Sequence, residues 1–360
     1  MRVLKHLLIG LLLLLVVVAV AAYFGQSKLK VLGEQPLLLN EPQQLLVAPG
    51  SSFRAVVNQL VERGFVDQPL LLRLYARHNN LAHRIQAGEY RLEPGLNHAA
   101  LLQMMVQGEV VSYQVTLVEG KTVQELIASL QAHPQILTTL EKTDPQSVAQ
   151  LLGIENSAEG WIYPDTYRFS RGTTDRQILQ RAYQSMQRLL EQEWAERADK
   201  LPLSSPYEAL ILASIVEKET GAAFERPAIA GVFTRRLQKK MRLQTDPTVI
   251  YGMGEGYTGN ITRADLNRHT AYNTYRIHGL PPTPIANPGR AAIRAALHPE
   301  SGDALYFVAK GDGSHQFSAT FEAHNRAVTR FQRQQRRKDY QSSPAVEAEA
   351  AIPEKAQSEN

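Results

Sequence analysis

The alternation of apolar and polar positions changes character twice along this chain. The first stretch, Leu7 to Phe24, carries no charge at all and follows Arg2, Lys5 and His6. As a helix this run extends roughly 27 Å, close to the hydrocarbon thickness of a bilayer. It predicts a membrane anchor over residues 1–25. A cleaved signal peptide is the competing reading, because Ala19-Val20-Ala21 has the small-x-small form of a cleavage site. Residues 26–42, with Gly33, Pro36 and Pro42, read as a polar linker.

From residue 43 a unit repeats: short apolar strand, Gly turn, Ser or Thr, amphipathic helix. One copy runs through Leu45, Val47, Gly50 and Ser52 into Phe53, Val56, Val57 and Leu60. Another runs through Val115, Leu117, Val118, Glu119, Gly120 and Thr122 into Val123, Leu126, Ile127 and Leu130. Thr122 and Glu125 have the spacing of a capping box. Between the copies, Gly88–Leu92 reads as a strand, and a helix through Leu101, Leu102 and Met105 follows Pro94-Gly95. Apolar residues three and four apart give each helix one face for a small sheet, which predicts an α+β module over 43–112.

From Ser157 the texture shifts to an aromatic, Pro-broken loop, Glu159-Gly160-Trp161-Ile162-Tyr163-Pro164-Asp165-Thr166-Tyr167. Helices are then expected from Asp175 to about Trp194, from Pro206 to Thr220 with Gly221 as stop, and over 222–240. Asn287-Pro288 reads as an N-cap with Pro at the first helical position, opening a helix to Leu297. Leu305–Ala309 and His315–Ser318 flank Gly311-Asp312-Gly313 as a hairpin. A basic helix is expected over 320–338, and 339–360, rich in Ala, Glu, Pro and Ser, as a disordered tail. The fold class is therefore α+β: an N-terminal membrane helix, a small module over 43–112, and a second α+β domain over 113–338.

Composition narrows the chemistry. The 360 residues contain no cysteine, which excludes disulfides, thiolate metal sites and a cysteine nucleophile. A net charge of +4 does not choose among anionic partners. There is no HExxH, no phosphate-binding Gly-rich loop and no GxSxG, and the histidines lack metal-ligand spacing. No metal or cofactor is expected. Arg326, Arg330, Arg333, Arg336, Arg337 and Lys338 alternate with Phe321, Val328 and Phe331 as a solvated helix face does, so no nucleic-acid partner is expected.

Acid/base chemistry has one good candidate. Between Tyr207 and Val216, residues Leu210, Ile211, Leu212, Ala213, Ile215 and Val216 point all around the helix axis, so the helix is buried. It ends in Glu217-Lys218-Glu219. A carboxylate at the end of a buried helix is either paired or functional, since desolvating it alone is costly. A solvated helix end with Lys218 as counter-charge is the bland alternative, and periodicity does not choose between Glu217 and Glu219. Downstream, Gln244, Asp246, Asn273 and Tyr275 offer amide, carboxylate and ring surfaces of the kind a sugar groove needs, as surface loops also do.

Several segments resemble one family, the endolytic murein transglycosylases (MltG, YceG-like). They are 159–167, 212–220 (Leu-Ala-Ser-Ile-Val-Glu-Lys-Glu-Thr), 243–252 (Leu-Gln-Thr-Asp-Pro-Thr-Val-Ile-Tyr-Gly), 271–275, 279–282 and 306–309. The resemblance implies a LysM-like module before the catalytic domain and selects Glu217 as the catalytic residue. It implies non-hydrolytic cleavage of the β-1,4 bond between N-acetylmuramic acid and N-acetylglucosamine in peptidoglycan, leaving 1,6-anhydromuramic ends. It also implies termination of growing strands, with peptidoglycan synthases as partners, while the cationic flank and apolar run at the N-terminus predict single-pass anchoring in the cytoplasmic membrane with the catalytic domain on the periplasmic side. A non-catalytic peptidoglycan-binding scaffold and a cytoplasmic cofactor-dependent lyase remain as alternatives from other classes.

Overall fold

The structure is a computed structural model that describes residues 2–335, so the expected tail over 339–360 lies outside the described residues. It is a mixed α+β protein with one N-terminal apolar helix. The chain divides into two compact units: Met1–Gln114 with Arg168–Thr173, and Val115–Tyr167 with Thr174–Asn360.

The first unit begins with helix α1 (Arg2–Glu34). Leu8, Leu12, Val16, Val20 and Phe24 along it are exposed, while Leu32 near its end is buried. Strand β1 (Gln43–Val47) pairs antiparallel with β2 (Gly88–Leu92), Leu45 opposite Tyr90. Between them lie α2 (Phe53–Glu62) and α3 (Pro69–His78); α4 (His98–Gln107) follows β2. Ser52 accepts from the Ala55 N–H at the start of α2, and Asn97 from the Ala100 N–H at the start of α4. These side chains satisfy amides that a helix start leaves open. Val56, Val57, Leu60, Leu72, Tyr90, Leu101 and Met105 form the core of this unit.

The expected linker differs from what is observed. Helix α1 continues to Glu34 and packs on α3, so residues 26–34 are helical. Gly33, read as a break, is where α1 meets Tyr75: a Cβ there would lie 2.8 Å from its ring. Close packing, not turn chemistry, explains this glycine.

Strand β3 (Tyr113–Thr116) pairs with β4 (Thr166–Phe169), so the aromatic loop read from the sequence ends in a strand. The division between the units runs through these two strands. In the second unit come α5 (Val123–Gln131) and α6 (Pro145–Leu152), then α7 (Asp175–Ala195) and α8 (Pro206–Glu219). The Thr122–Glu125 capping box is present at the start of α5.

Helix α9 (Arg226–Gln238) is preceded by a 3-10 turn at Ala223–Glu225, where one helix over 222–240 was expected. Pro227 in the first turn of α9 has no N–H to continue a helix from residue 223. Then come α10 (Asp246–Met253), α11 (Arg263–Asn267) and α12 (Arg290–Leu297). The hairpin of β5 (Tyr306–Ala309) and β6 (His315–Ser318) is followed by α13 (Phe321–Val328) and a π-helical stretch, Thr329–Gln334.

Helix α8 is the axis of the second unit. Eight consecutive residues, Ala209 to Val216, are buried. It packs against α7, α9, α10 and α12. Ala209, Ala213, Ala292, Ala295 and Ala296 share one cluster with Leu212, Val216, Phe233 and Ile293, and the small side chains let α8 and α12 approach closely.

Candidate active site

Helix α8 ends at its two glutamates, and the rotation of about 200° between positions i and i+2 sends them to different surroundings. The Glu217 side chain is only 5% exposed. Its Oε1 accepts from Arg226 Nη2 at 2.9 Å, and its Oε2 accepts from the Gly289 N–H at 2.9 Å. Arg226 is the first residue of α9 and Gly289 the N-cap of α12. A helix N-terminus leaves amide donors open, and here one of them meets a carboxyl.

The Glu119-Gly120 turn lies beside this pair. The Gly120 N–H donates to Asn287 O at 2.9 Å, and Lys218 Nζ donates to Gly120 O at 3.2 Å. Glu119 Oε2 is 3.8 Å from Arg226 Nη2.

Asn287 has a different role from the expected N-cap. Helix α12 starts three residues later at Arg290, with Gly289 as its cap. The buried Asn287 amide accepts from the Ile162 N–H at 2.9 Å and donates to Lys121 O and Glu159 Oε1, each at 3.0 Å. Long-range partners claim the side chain that a local cap would have used. Glu159, 1% exposed, also accepts from the Val123 N–H and from Tyr251 Oη. Burial pushes its carboxyl up to about 7, against the lowering effect of these donors.

Glu219 faces another environment. Thr245 Oγ1 donates to its Oε1. Burial, and after it the charge of Asp246, raises the Glu219 carboxyl to about 7, while Thr245 and Arg236 oppose the rise. Glu219 lines an open cleft of about 320 Å3 together with Gln244, Asp246, Tyr275 and Tyr306. Tyr275 Oη donates to Asp246 Oδ1 at 2.7 Å. Gln244 holds a left-handed backbone, φ 52°, with its N–H on Thr274 O. That conformation is costly for a residue with a side chain, and such strain clusters at functional sites. Tyr306 stacks on His324, and the Arg236 guanidinium stands 5.1 Å from the Tyr306 ring centre.

Three of the four residues read as sugar-binding, Gln244, Asp246 and Tyr275, therefore come together, on the Glu219 side of the helix end. Asn273 does not join them. It is buried, its Nδ2 donates to the carbonyls of Asp265, Leu266 and Arg268, and its Oδ1 accepts from the Tyr275 N–H. It shapes the loop that carries Tyr275.

Sequence reasoning missed Arg226, Gly289 and Glu119 around Glu217. Pro227 does mark a helix start and so places Arg226 at one. Nothing local links Arg226 to a carboxyl nine residues before it, or Gly289 to the same carboxyl seventy-two residues before it.

The second unit, an α+β domain, thus holds a nearly enclosed acid at the end of a core helix, with an aromatic and polar cleft on the other side of that helix end. The YceG-like family profile matches residues 45–330, and the chain belongs to that family. An endolytic murein transglycosylase of Bacillus subtilis is 30% identical over 303 residues, covering 79% of this chain and 83% of that protein. An endolytic murein transglycosylase of Streptococcus pneumoniae is 28% identical over 363 residues; the match takes in 90% of this chain and 65% of that longer protein. The crystal structure of a YceG-like protein from Listeria monocytogenes superimposes with a TM-score of 0.51 at 31% identity, covering 80% of this chain and 99% of the other.

Proposed function

We propose that this protein is a lytic transglycosylase acting on peptidoglycan, with Glu217 as acid and then base. The observation that carries the reading is the Glu217 carboxyl itself: nearly enclosed at the end of a core helix, with Arg226 and the Gly289 N–H on its two oxygens. The name shared by its relatives, endolytic murein transglycosylase, supplies the substrate class.

The reaction balances without water. Protonated Glu217 gives its proton to the glycosidic oxygen as the bond from muramic C1 to that oxygen breaks. The C6 hydroxyl oxygen of the same muramic residue then bonds to C1, and its proton passes to the Glu217 carboxylate. One carboxyl serves both steps, so the paired carboxylates of ordinary glycosidases are not required. The scissile oxygen has to take the place of one present donor on Glu217. Gln244, Asp246 and Tyr275 hold a neighbouring sugar in the cleft, with Asn273 supporting them from behind.

In this reading residues 1–25 anchor the chain in the cytoplasmic membrane and the domains work on its outer, periplasmic side. The module at 43–112 is LysM-like and helps bind glycan without a catalytic group. The domain at 113–338 cuts the MurNAc-GlcNAc β-1,4 bond in growing strands and so ends them near the peptidoglycan synthases.

The test is mass spectrometry of products from purified glycan strands incubated with the full chain in detergent. Anhydromuramic ends, lighter than hydrolytic ends by one water, are expected. Reducing ends in their place would overturn the mechanism.

A further inference from the structure

Arg226 stands between two carboxyls. Its Nη2 lies 2.9 Å from Glu217 Oε1 and 3.8 Å from Glu119 Oε2. Its Nε is buried and has no hydrogen-bond partner among the described residues. A guanidinium carries one charge and five donors, so it can satisfy either carboxylate well but cannot neutralise both.

Glu119 is held in reach of this arginine by the backbone around it. The Gly120 N–H is bonded to Asn287 O, the Asn287 N–H to Lys121 O, and Lys218 Nζ to Gly120 O. Gly289 makes the arrangement possible. Its φ of −79° is open to any residue, yet a Cβ there would run into the Glu119 carboxylate. The absence of a side chain lets Glu119 lie against the residue whose N–H donates to Glu217. Burial, and after it the charge of Glu217, raises the Glu119 pKa, and Arg226 opposes them. Among the described residues, the charged or titratable groups facing this turn include Lys218 on α8, and Tyr163, which lies within reach of the charges of Asp165, Arg290, Glu119 and Glu193.

We propose, resting on the reading of Glu217 as the acid/base, that Glu119 is a positioning residue that takes up Arg226 whenever Glu217 holds a proton. Glu217 must be neutral to donate. A neutral Glu217 would leave a largely buried arginine without its counter-ion, which is costly. Glu119 removes that penalty by accepting the guanidinium, through the Nη2 already near it and the Nε that has no partner among the described residues. When Glu217 gives its proton to the leaving oxygen, Arg226 returns to the new carboxylate. When the C6 hydroxyl proton arrives on Glu217, Arg226 goes back to Glu119. No proton passes to Glu119 in this cycle; only the cation changes sides.

The experiment has two arms on the full chain in detergent. In the first, the pH dependence of kcat/KM is compared for the wild type, Glu119→Gln, Glu119→Asp and Gly289→Ala. With Glu119→Gln, Arg226 pairs with Glu217 alone and favours its ionised form. The alkaline fall in kcat/KM should then move down by on the order of one pH unit, about tenfold in rate on that limb. Glu119→Asp, which keeps the charge, should stay near the wild-type profile. Gly289→Ala, which displaces the Glu119 carboxylate without removing it, should move the same way as Glu119→Gln. Superimposable profiles for the wild type and Glu119→Gln overturn the proposal.

In the second arm the Glu119 carboxyl is titrated by 13C NMR in the wild type and in Glu217→Gln. Its midpoint should fall in the variant, because a like charge is gone and Arg226 is free to pair with Glu119. An unchanged midpoint also overturns the proposal. A shifted midpoint in a protein that yields no anhydro ends leaves the two carboxyls coupled and sinks the transglycosylase reading alone.

Discussion

Glu217 and Glu219 close the same helix two residues apart, and their carboxyls hydrogen-bond to different partners. Glu217 is bonded to Arg226 and the Gly289 N–H, Glu219 to Thr245 beside the open cleft. An acid/base role for Glu217 and a cleft-lining role for Glu219 make their substitutions separable. Glu217→Gln should lower cleavage by about 10²–10⁴-fold. It also weakens a largely buried ion pair with Arg226, so the variant should lose stability as well, by roughly 2 kcal/mol. Glu219→Gln should lose far less activity. Product release and thermal melting on the same preparations check both statements. Full activity in Glu217→Gln would remove that residue from the chemistry.

Two strongly raised carboxyls, Glu159 and Glu219, set a pH dependence of stability. Each moves from an ordinary 4.5 to about 7 in the folded protein. Between those values the folded chain keeps protons that the unfolded chain has released, so the stability they contribute is complete below about 4.5 and is lost as pH rises through 7. For the buried Glu159 the change is roughly 3 kcal/mol. Melting temperature should therefore decline from pH 4.5 to 7 by less in Glu159→Gln than in the wild type. Equal slopes would mean that Glu159 is already ionised at pH 5.

Asn287→Ala should destabilise the second unit by about 2–4 kcal/mol. The substitution removes three side-chain hydrogen bonds and leaves the Ile162 N–H without a buried acceptor. Chemical denaturation followed by tryptophan fluorescence measures it. A loss under 0.5 kcal/mol would contradict a structural role.

Tyr275→Phe removes the hydroxyl bonded to Asp246 at 2.7 Å and keeps the ring. With the cleft as a sugar subsite, KM for glycan strands should rise several-fold while kcat changes little. Steady-state kinetics with strands of defined length reads this; an unchanged KM would take Tyr275 out of substrate contact.

The legible part of the fold was the part written in local periodicity. Helix α8 announces itself by apolar residues on every side, with Ser205-Pro206 before it and Gly221 after it. The capping box at Thr122 and Glu125 marks α5 equally well. What escaped reading depends on residues far apart in the chain. Asn287-Pro288 has a good local cap signal, but Lys121, Glu159 and Ile162 claim the side chain from more than a hundred positions away. Gly33 looks like a break until Tyr75 is seen against it. Glu217 and Glu219 are alike in sequence because what separates them is 9, 72 and 26 residues distant, at Arg226, Gly289 and Thr245.

The continuity of α1 bears on how far the first unit can stray from a membrane. A flexible 17-residue tether over 26–42 would let a domain wander with a root-mean-square reach of roughly 20–25 Å. The helix instead runs without interruption from the apolar stretch to Leu32, which is buried in the core of the first unit. From Phe24 to Leu32 it rises only about 12 Å. With Leu8–Phe24 in a bilayer, the first unit stands on a short, stiff stalk. Its altitude and heading are then set by the tilt of one helix, and it can sweep only a thin layer above the lipid headgroups.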